Sequence, residues 1–259
     1  MESALTIAGS DPTGGAGIQA DIKTFRALNV IDLSVITAVT AQNSRGVYAI
    51  SGLPPHIISS QIDAVLRDFM PNALKTGMLY TSSAIDVIAE KIEVYGLRNL
   101  VVDPVLASTT GTQLMENSCM EVMKKKLLPM AYLITPNIHE ASILSNVEIS
   151  STDDIREAAV AIRSFGVENV LIKGGHMSGV DIIDTLWDGN DFTYFHSKRV
   201  EGDFHGTGCV LSAAITAYLA KGYELKEAIS MAKHFLLSAM SSAFRCRGLS
   251  ILNISATCI

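Results

Sequence analysis

A glycine-rich turn, Gly206-Thr207-Gly208-Cys209, runs directly into an apolar segment that predicts a helix over residues 206–222. Glycines at a helix start leave backbone N–H groups bare, and the helix dipole adds partial positive charge there. The turn therefore predicts an anion site, for which phosphate is a natural guest. Cys209 falls in the first turn, where we expect the dipole to lower the thiol pKa and favour the thiolate. A small cysteine that serves only close packing is the alternative interpretation.

Carboxylates and an amide follow two of the predicted strands. Asp103 ends one strand, and Asn137 and Glu140 follow the next. These side chains offer oxygen ligands, which suit Mg²⁺, and the chain shows no histidine pair at zinc spacing. Together with the anion site they predict phosphoryl transfer, in which positioning and charge neutralisation do most of the catalysis.

The elements that must position these groups follow an α/β pattern. Short β-branched runs end in polar or glycine residues and alternate with longer stretches of helical period. Several runs are continuously apolar, which favours a mostly parallel sheet covered on both faces. The predicted strands are Leu5–Ala8, Ser34–Val39, Ala73–Thr76, Leu100–Val102, Tyr132–Thr135 and Val170–Lys173. The predicted helices are one carrying the stripe Ile18, Ile22, Phe25 and Leu28, then 56–69, 82–95, 152–165, 206–222 and 225–244.

In an open parallel sheet, ligands bind beyond the carboxyl ends of the strands. Polar or glycine segments stand at most of these ends, although each alone is an ordinary turn sequence. The first, residues 9–17, matches neither a Walker loop nor a dinucleotide fingerprint, yet its small residues let a flat ligand approach the backbone. Residues 184–195 change period and predict a hairpin at one sheet edge. No repeat or linker interrupts the chain, so we expect one domain over 1–259.

Composition excludes several classes of protein. The 259 residues carry 20 Lys+Arg against 26 Asp+Glu, a net charge of −6, so the basic footprint of a nucleic-acid binder is missing. Apolar stretches stop short of a membrane span. The N-terminus has no basic leader, and the four cysteines show no paired spacing. We expect a soluble protein of the reducing cytoplasm that binds neither nucleic acid nor membrane.

Three motifs carry a family resemblance: residues 8–21 (AGSDPTGGAGIQAD), 134–140 (ITPNIHE) and 205–209 (HGTGC). They resemble the hydroxymethylpyrimidine/phosphomethylpyrimidine kinases of thiamine biosynthesis, in the ribokinase-like superfamily. The resemblance runs from about Ala4 to Lys233. It implies a three-layer α/β/α ribokinase-like fold with a mostly parallel central sheet and an edge hairpin. It also implies a homodimer.

The resemblance implies that ATP and Mg²⁺ serve to phosphorylate 4-amino-5-hydroxymethyl-2-methylpyrimidine, and then its monophosphate to the diphosphate. The substrate-binding positions that it implies are Gly9, Asp21, Gln42, Met78 and Val105. The ATP-binding positions are Asn137, Lys173, Thr207 and Lys233, and the metal-side carboxylates are Asp103 and Glu140. The catalytic positions are Gly206, Gly208 and Cys209, with Cys209 as the base that takes the hydroxyl proton.

Three other functions stay open from the sequence. Pyridoxal kinase is the alternative within the same fold. A non-catalytic pyrimidine- or nucleotide-binding protein is favoured by two departures from the family pattern: Thr109 where a lysine is frequent, and a divergent tail after about 246. A third departure is Phe204, which stands before His205 where threonine is common. A cysteine-nucleophile hydrolase would need His205 or His176 close to Cys209.

Overall fold

Short apolar strands alternate with longer helices along the chain, as the sequence predicts. The computed structural model describes residues 1–43, 45–107, 111–116, 118–176, 181–246 and 249–255. Its strands are β1 (Ser3–Ser10), β2 (Ile31–Asn43), β3 (Gly46–Gly52), β4 (Ala73–Thr76), β5 (Leu100–Val102), β6 (Leu133–Ile134), β7 (Asn169–Ile172), β8 (Asp181–Trp187), β9 (Phe192–Lys198), β10 (Phe204–His205), β11 (Phe244–Cys246) and β12 (Leu249–Ile251). Its helices are α1 (Gly17–Ala27), α2 (Pro55–Asp68), α3 (Ser82–Tyr95), α4 (Cys119–Val122), α5 (Ile138–Ser145), α6 (Thr152–Arg163), α7 (Thr207–Ala220) and α8 (Leu225–Ser241).

Nine of the described strands form one sheet in the order β3-β2-β1-β4-β5-β6-β7-β8-β9. Strands β2, β1 and β4 to β7 pair in parallel, and each predicted strand overlaps one of these six. Antiparallel hairpins close both edges: β3 pairs with β2, and β8 pairs with β7 and β9. The predicted edge hairpin is confirmed, with Trp187 opposite Phe192 and the two rings stacked 4.4 Å apart.

Helices cover both faces of the sheet, which explains why the central strands are apolar without alternation. Every residue of β4, β5, β6 and β7 is buried. One apolar cluster joins the sheet to α2, α3, α5 and α6, and a second joins it to α1, α7 and α8. The three-layer α/β/α prediction is confirmed.

Helix α7 lies inside this second cluster rather than on the surface. All eleven residues from Val210 to Ala220 are buried, so no polar face remains. Of the helices in the described ranges, none combines the length and the apolar composition that a membrane crossing needs.

Besides the four-residue helix α4, sequence reasoning missed three elements. Strand β3 is an exposed edge strand with weak alternation. Helix α5 is short, although Asn137 and Glu140 form a capping box that is a recognisable N-terminal signal. The third is a small sheet in which β12, from the tail, pairs in parallel with β10 and antiparallel with β11. Through this sheet the tail supports the segment that leads into α7.

Candidate active site

The glycine turn that the sequence analysis predicts as an anion site stands at the start of α7. Gly206 caps α7 with φ +84° and without a side-chain hydrogen bond, so the first amides of the helix stay free. A methyl group at Gly206 would lie 1.9 Å from the carbonyl oxygen of Gly15, so this position admits only glycine. A methyl group at Gly208 would lie 3.3 Å from Lys173 Nζ. The first turn of α7, which begins at Thr207, therefore lies beside the Lys173 ammonium.

Lys173 and Asp103 form the charged centre beside this turn. Lys173 Nζ lies 3.2 Å from Asp103 Oδ1, and Ser212 Oγ donates to Asp103 Oδ2 at 2.9 Å. Burial alone would raise the pKa of Asp103, but Lys173, Lys75 and the Ser212 hydroxyl hold it below its usual range. Burial likewise opposes charge on Lys173, yet Asp103 and Glu140 raise its pKa. Both groups are therefore ionised at neutral pH.

Glu140 is the second buried carboxylate of the site, and it lies in the capping box of α5. Asn137 Oδ1 accepts from the Glu140 amide at 2.9 Å, and Glu140 Oε2 accepts from the Asn137 amide at 2.8 Å. Burial, with a smaller contribution from the charge of Asp103, raises the pKa of Glu140 to about 7 against the lowering effect of Lys173. The backbones of Asn137 and Lys173 also form an isolated parallel β-bridge, just beyond the ends of two adjacent strands. Asp103, Asn137, Glu140 and Lys173 are thus brought together.

Cys209 is half-buried in the first turn of α7, but its thiol is not activated. Burial, together with the charges of Asp103 and Asp21, raises the thiol pKa to about 12, against the charge of Lys75 and a hydrogen bond from the Gly17 backbone amide. The prediction that the helix N-terminus lowers this pKa is wrong, because desolvation and two carboxylates outweigh it. Cys209 is a neutral thiol at neutral pH.

Asp21 does not line the substrate pocket as the resemblance implies. It is fully buried, and its oxygens accept from Lys75 Nζ at 2.7 Å and from Thr6 Oγ1 at 2.6 Å. Burial raises the pKa of Asp21, while the adjacent Lys75 ammonium opposes that rise. The pair lies beneath the site and ties α1 to β1 and β4. With no exposed surface, Asp21 presents no atom to a pocket in this structure.

Lys233 is also placed differently from the expectation of an ATP contact. Its ammonium is buried, donates to Asp184 and donates to the Phe195 carbonyl oxygen at 3.1 Å. Asp184 Oδ1 in turn accepts from the Gly174 amide at 2.8 Å. Lys233 therefore holds the turn that follows Lys173, rather than offering a free charge to phosphate.

The remaining substrate positions gather around the end of β1. The Sδ atom of Met78 lies 3.0 Å from where a methyl group at Gly9 would stand, so Gly9 leaves room for Met78. Val105 packs against the small apolar cluster that contains Met78. Gln42 is half-buried, with its amide nitrogen 3.3 Å from His205 Nε2. Gly9, Met78 and Val105 form an apolar wall, and Gln42 supplies a polar group.

Two residues that the sequence analysis did not assign, His205 and Ser212, complete the site, and a third, Lys75, lies beneath it. His205 Nε2 lies 2.8 Å from Asp11 Oδ2 as well as near Gln42, so this nitrogen is engaged away from Cys209. Ser212 follows Cys209 by one helical turn, a spacing that could have indicated a shared face. Lys75 stands at a predicted strand end, but its burial had no sequence signal. Thr109 and the side chain of His176 lie outside the described residues.

The engaged nitrogen of His205 and the raised thiol pKa remove the basis for a cysteine hydrolase that uses His205. Nucleophilic catalysis by cysteine needs a thiolate or an adjacent base to form one.

A family model and the sequences of known proteins both relate this chain to phosphomethylpyrimidine kinases. The sequence model of the phosphomethylpyrimidine kinase family matches residues 11–251. The hydroxymethylpyrimidine/phosphomethylpyrimidine kinase of Bacillus subtilis is 44% identical over 245 residues, which cover 92% of this chain and 89% of that protein. The thiamine biosynthesis bifunctional protein ThiED of Geobacter sulfurreducens is 46% identical over 242 residues, which cover 93% of this chain and 49% of that protein. The chain spans about half the length of the latter relative.

Solved structures share the whole fold. The phosphomethylpyrimidine kinase of Clostridium difficile superposes with a TM-score of 0.83 at 43% identity, covering 92% of this chain and 99% of that one. The pyridoxal kinase of Staphylococcus aureus, in complex with AMP-PCP and pyridoxal, gives a TM-score of 0.90 at 34% identity, covering 99% of this chain and 94% of that one.

Proposed function

Since the chain belongs to the phosphomethylpyrimidine kinase family, we propose that it transfers the γ-phosphate of ATP to 4-amino-5-hydroxymethyl-2-methylpyrimidine. The monophosphate is then phosphorylated to the diphosphate. The observation that supports this most is that the first turn of α7, which has no side-chain cap, lies beside the Lys173 ammonium at Gly208. That arrangement suits a transferring phosphoryl group.

ATP is the phosphoryl donor in this proposal, and Mg²⁺ accompanies it. The S. aureus pyridoxal kinase of the same fold binds the ATP analogue AMP-PCP. In this chain the ATP side is Asn137, Lys173 and Thr207, which lie around the start of α7 and the end of β7. Lys233 contributes by holding the turn after Lys173.

The donor set fits a divalent cation. Asp103 and Glu140 are both oxygen ligands, and the charge of Asp103 contributes to the raised pKa of Glu140, a repulsion that a cation would relieve. Within the described ranges, no group of three or more metal-ligating side chains exists. Mg²⁺ would therefore be held by one or two of these carboxylates together with nucleotide phosphates and water, as is usual for this ion. When bound, it would neutralise phosphate charge.

The side chains around the pocket then position the pyrimidine for the transfer. Gln42, Gly9, Met78 and Val105 hold the pyrimidine ring so that its hydroxymethyl oxygen faces the anion turn. The oxygen–phosphorus bond forms as the bond between the β–γ bridging oxygen and the γ-phosphorus breaks. Cys209, as a neutral thiol, orients the attacking hydroxyl, whose proton passes to a phosphoryl oxygen. A loose transition state makes little demand for a strong base.

Pyridoxal kinase is the second candidate, favoured by the high TM-score and full coverage of the S. aureus enzyme. The pyrimidine substrate is preferred because identity reaches 43–44% with pyrimidine kinases and 34% with that enzyme. A non-catalytic binding protein is disfavoured by the retained charges of Asp103 and Lys173.

The test is an ADP-release assay with ATP and Mg²⁺ on the pyrimidine and on pyridoxal in parallel. We expect a higher kcat/KM for the pyrimidine, because specificity is the ratio of these values. Gln42→Ala should raise the KM for the pyrimidine and leave that for ATP unchanged. A higher kcat/KM for pyridoxal would overturn the substrate assignment. Calorimetric binding of the pyrimidine without turnover would favour the binding protein.

Three wider expectations stay predictions: one domain over residues 1–259, a homodimer, and a location in the cytoplasm.

A further inference from the structure

Three side chains from separate loops meet at the rim of the pocket. His205 Nε2 lies 2.8 Å from Asp11 Oδ2 and 3.3 Å from the amide nitrogen of Gln42. Asp11 and His205 are largely buried, with 5% and 13% of their side chains exposed. The chain of contacts thus connects the glycine loop after β1, the end of β2 and strand β10. None of the roles proposed above uses His205 or Asp11.

Asp11 determines which nitrogen of His205 carries a proton. Hydrogen bonds from His205 and Thr13 hold the pKa of Asp11 below its usual range, although burial opposes them. The ionised carboxylate can only accept hydrogen bonds. It also accepts from the Thr13 hydroxyl at 2.8 Å and from the Ala16 amide at 2.9 Å, which fix its orientation. His205 Nε2 must therefore be the donor, its single hydrogen is donated to Asp11, and the same nitrogen cannot accept a hydrogen bond from Gln42.

Gln42 has a second neighbour whose hydrogen is already committed. Thr40 Oγ1 donates to the Ser10 carbonyl oxygen at 2.9 Å, and it lies 3.4 Å from Gln42 Oε1. A hydroxyl has one hydrogen, so toward Gln42 the Thr40 oxygen can only accept. If the Gln42 NH₂ group faced His205, two donors would meet there, the NH₂ group and the His205 N–H. At the other end two acceptors would meet, Gln42 Oε1 and the Thr40 oxygen. Rotating the amide by 180° removes both conflicts, because Oε1 can then accept a second, longer branch of the His205 N–H hydrogen bond while the NH₂ group donates to Thr40.

We propose that His205, held by Asp11, is a positioning residue that determines specificity by fixing the Gln42 amide with Oε1 toward His205 and the NH₂ group toward Thr40. This inference rests on the proposed function, in which Gln42 binds the pyrimidine. The fixed amide presents one N–H donor and one oxygen lone pair in a set order. A 4-aminopyrimidine offers the complementary pair, a ring-nitrogen acceptor beside an amino donor, as adenine does to glutamine. Pyridoxal has no such pair.

The placement of His205 also joins ring recognition to the phosphoryl site. His205 is followed directly by Gly206, the cap of α7, and a methyl group at Gly15 would lie 2.7 Å from His205 Cδ2. The glycine loop, the ring-binding amide and the anion turn are therefore in direct contact. A pyrimidine that pairs with Gln42 is oriented relative to the turn that receives the phosphoryl group.

The first test is independent of activity. Long-range ¹H–¹⁵N spectra of the whole chain distinguish the two ring nitrogens of each of its six histidines, and a His205→Gln sample assigns the signal. We expect a protonated Nε2 at His205. A bare Nε2 with the proton on Nδ1 alone would overturn the inference while leaving the proposed kinase function intact.

The second test compares kcat/KM for the pyrimidine and for pyridoxal in His205→Leu and His205→Gln. Loss of the donor in His205→Leu should lower the pyrimidine-to-pyridoxal ratio about ten- to hundredfold, as expected for one bidentate base contact. The KM for ATP should not change. His205→Gln keeps an N–H donor and should retain more of the ratio than His205→Leu. His196→Leu, at an exposed position on β9, is the control for loss of a histidine.

An unchanged ratio in His205→Leu, in a wild type that does phosphorylate the pyrimidine, would overturn the inference alone. A wild type without pyrimidine turnover would instead contradict the proposed function. If His205→Leu does not fold, the ratio in His205→Gln and the spectra of the wild type still decide.

Discussion

The thiol of Cys209 shows how burial changes the chemistry of a single residue. Position at a helix N-terminus favours a thiolate, yet burial with Asp103 and Asp21 raises the pKa of this thiol to about 12. A buried lysine, Lys75, opposes the shift but does not reverse it. At the scale of the residue, Cys209 is therefore a neutral thiol, and we propose that it orients the hydroxyl rather than acting as a base.

This assignment predicts how Cys209 reacts with iodoacetamide. Because only the thiolate is alkylated, the rate at Cys209 should rise about tenfold per pH unit from pH 7 to pH 10 without levelling off. Peptide mass spectrometry separates this site from the buried Cys119, and Cys209→Ala is the control. A rate that levels off below pH 9 would show an activated thiolate and restore the general base.

At the scale of the element, the start of α7 depends on two backbones in close contact. The added methyl group of Gly206→Ala would lie 1.9 Å from the carbonyl oxygen of Gly15 and would therefore displace the turn. We expect kcat to fall by about 10²- to 10³-fold, the usual cost of losing an oxyanion donor. Gly222→Ala is a matched control, since Gly222 has a similar φ of +85° with nothing within 4 Å. That variant should lose roughly 1 kcal/mol of stability and keep its kcat. Equal losses of kcat in both variants would exclude a specific role for Gly206.

Helix α5 begins at the capping box that also places Glu140 in the site. The folded-state pKa of Glu140 is raised from 4.5 to about 7. From pH 4.5 to pH 7 the unfolded chain therefore binds fewer protons than the folded one, and stability falls as the pH rises. The substrate-free protein should lose up to about 3 kcal/mol through this group by pH 8.

Glu140→Gln tests this conflict between stability and function. Denaturant unfolding should show the variant to be more stable than wild type at pH 8 and nearly equal at pH 4, while its kcat falls because a carboxylate on the metal side is lost. Glu157→Gln, exposed on α6, is the control and should change neither quantity. A variant that is less stable at pH 8 would contradict the raised pKa.

At the scale of the whole molecule, the fully buried pair of Lys75 and Asp21 connects the layers beneath the site. Their 2.7 Å contact connects a central strand to helix α1, across two of the three layers. Removing one partner of a buried pair leaves an uncompensated charge in the interior, which costs far more than the intact pair contributes.

Lys75→Met should therefore destabilise the protein by about 3–5 kcal/mol. Lys126→Met breaks a contact of the same length, 2.7 Å to Asp86, at an exposed position, and should cost about 0–1 kcal/mol. Urea unfolding of both variants measures the difference. Similar midpoints would mean that the buried pair contributes no more than a surface one.

Much of the fold could be predicted from the sequence because its signals are local. The continuous apolar runs of β4 to β7, the hairpin turn at 188–191 and the glycines before α7 each report on neighbouring residues. The sites of Lys75 and Lys233 could not be predicted, because their partners Asp21 and Asp184 lie 54 and 49 positions away. The pKa of Cys209 depends on the charges of Lys75, Asp103 and Asp21. These residues are far from Cys209 in the sequence, so no local pattern indicates their effect.

The most direct test of the central claim is ³¹P NMR of the protein with ATP, Mg²⁺ and 4-amino-5-hydroxymethyl-2-methylpyrimidine. We predict a pyrimidine monophosphate signal that appears as ATP is consumed, followed by the diphosphate, with neither formed by Lys173→Met. Conversion of ATP to ADP and inorganic phosphate alone, or no consumption of ATP in the presence of the pyrimidine, would contradict the account.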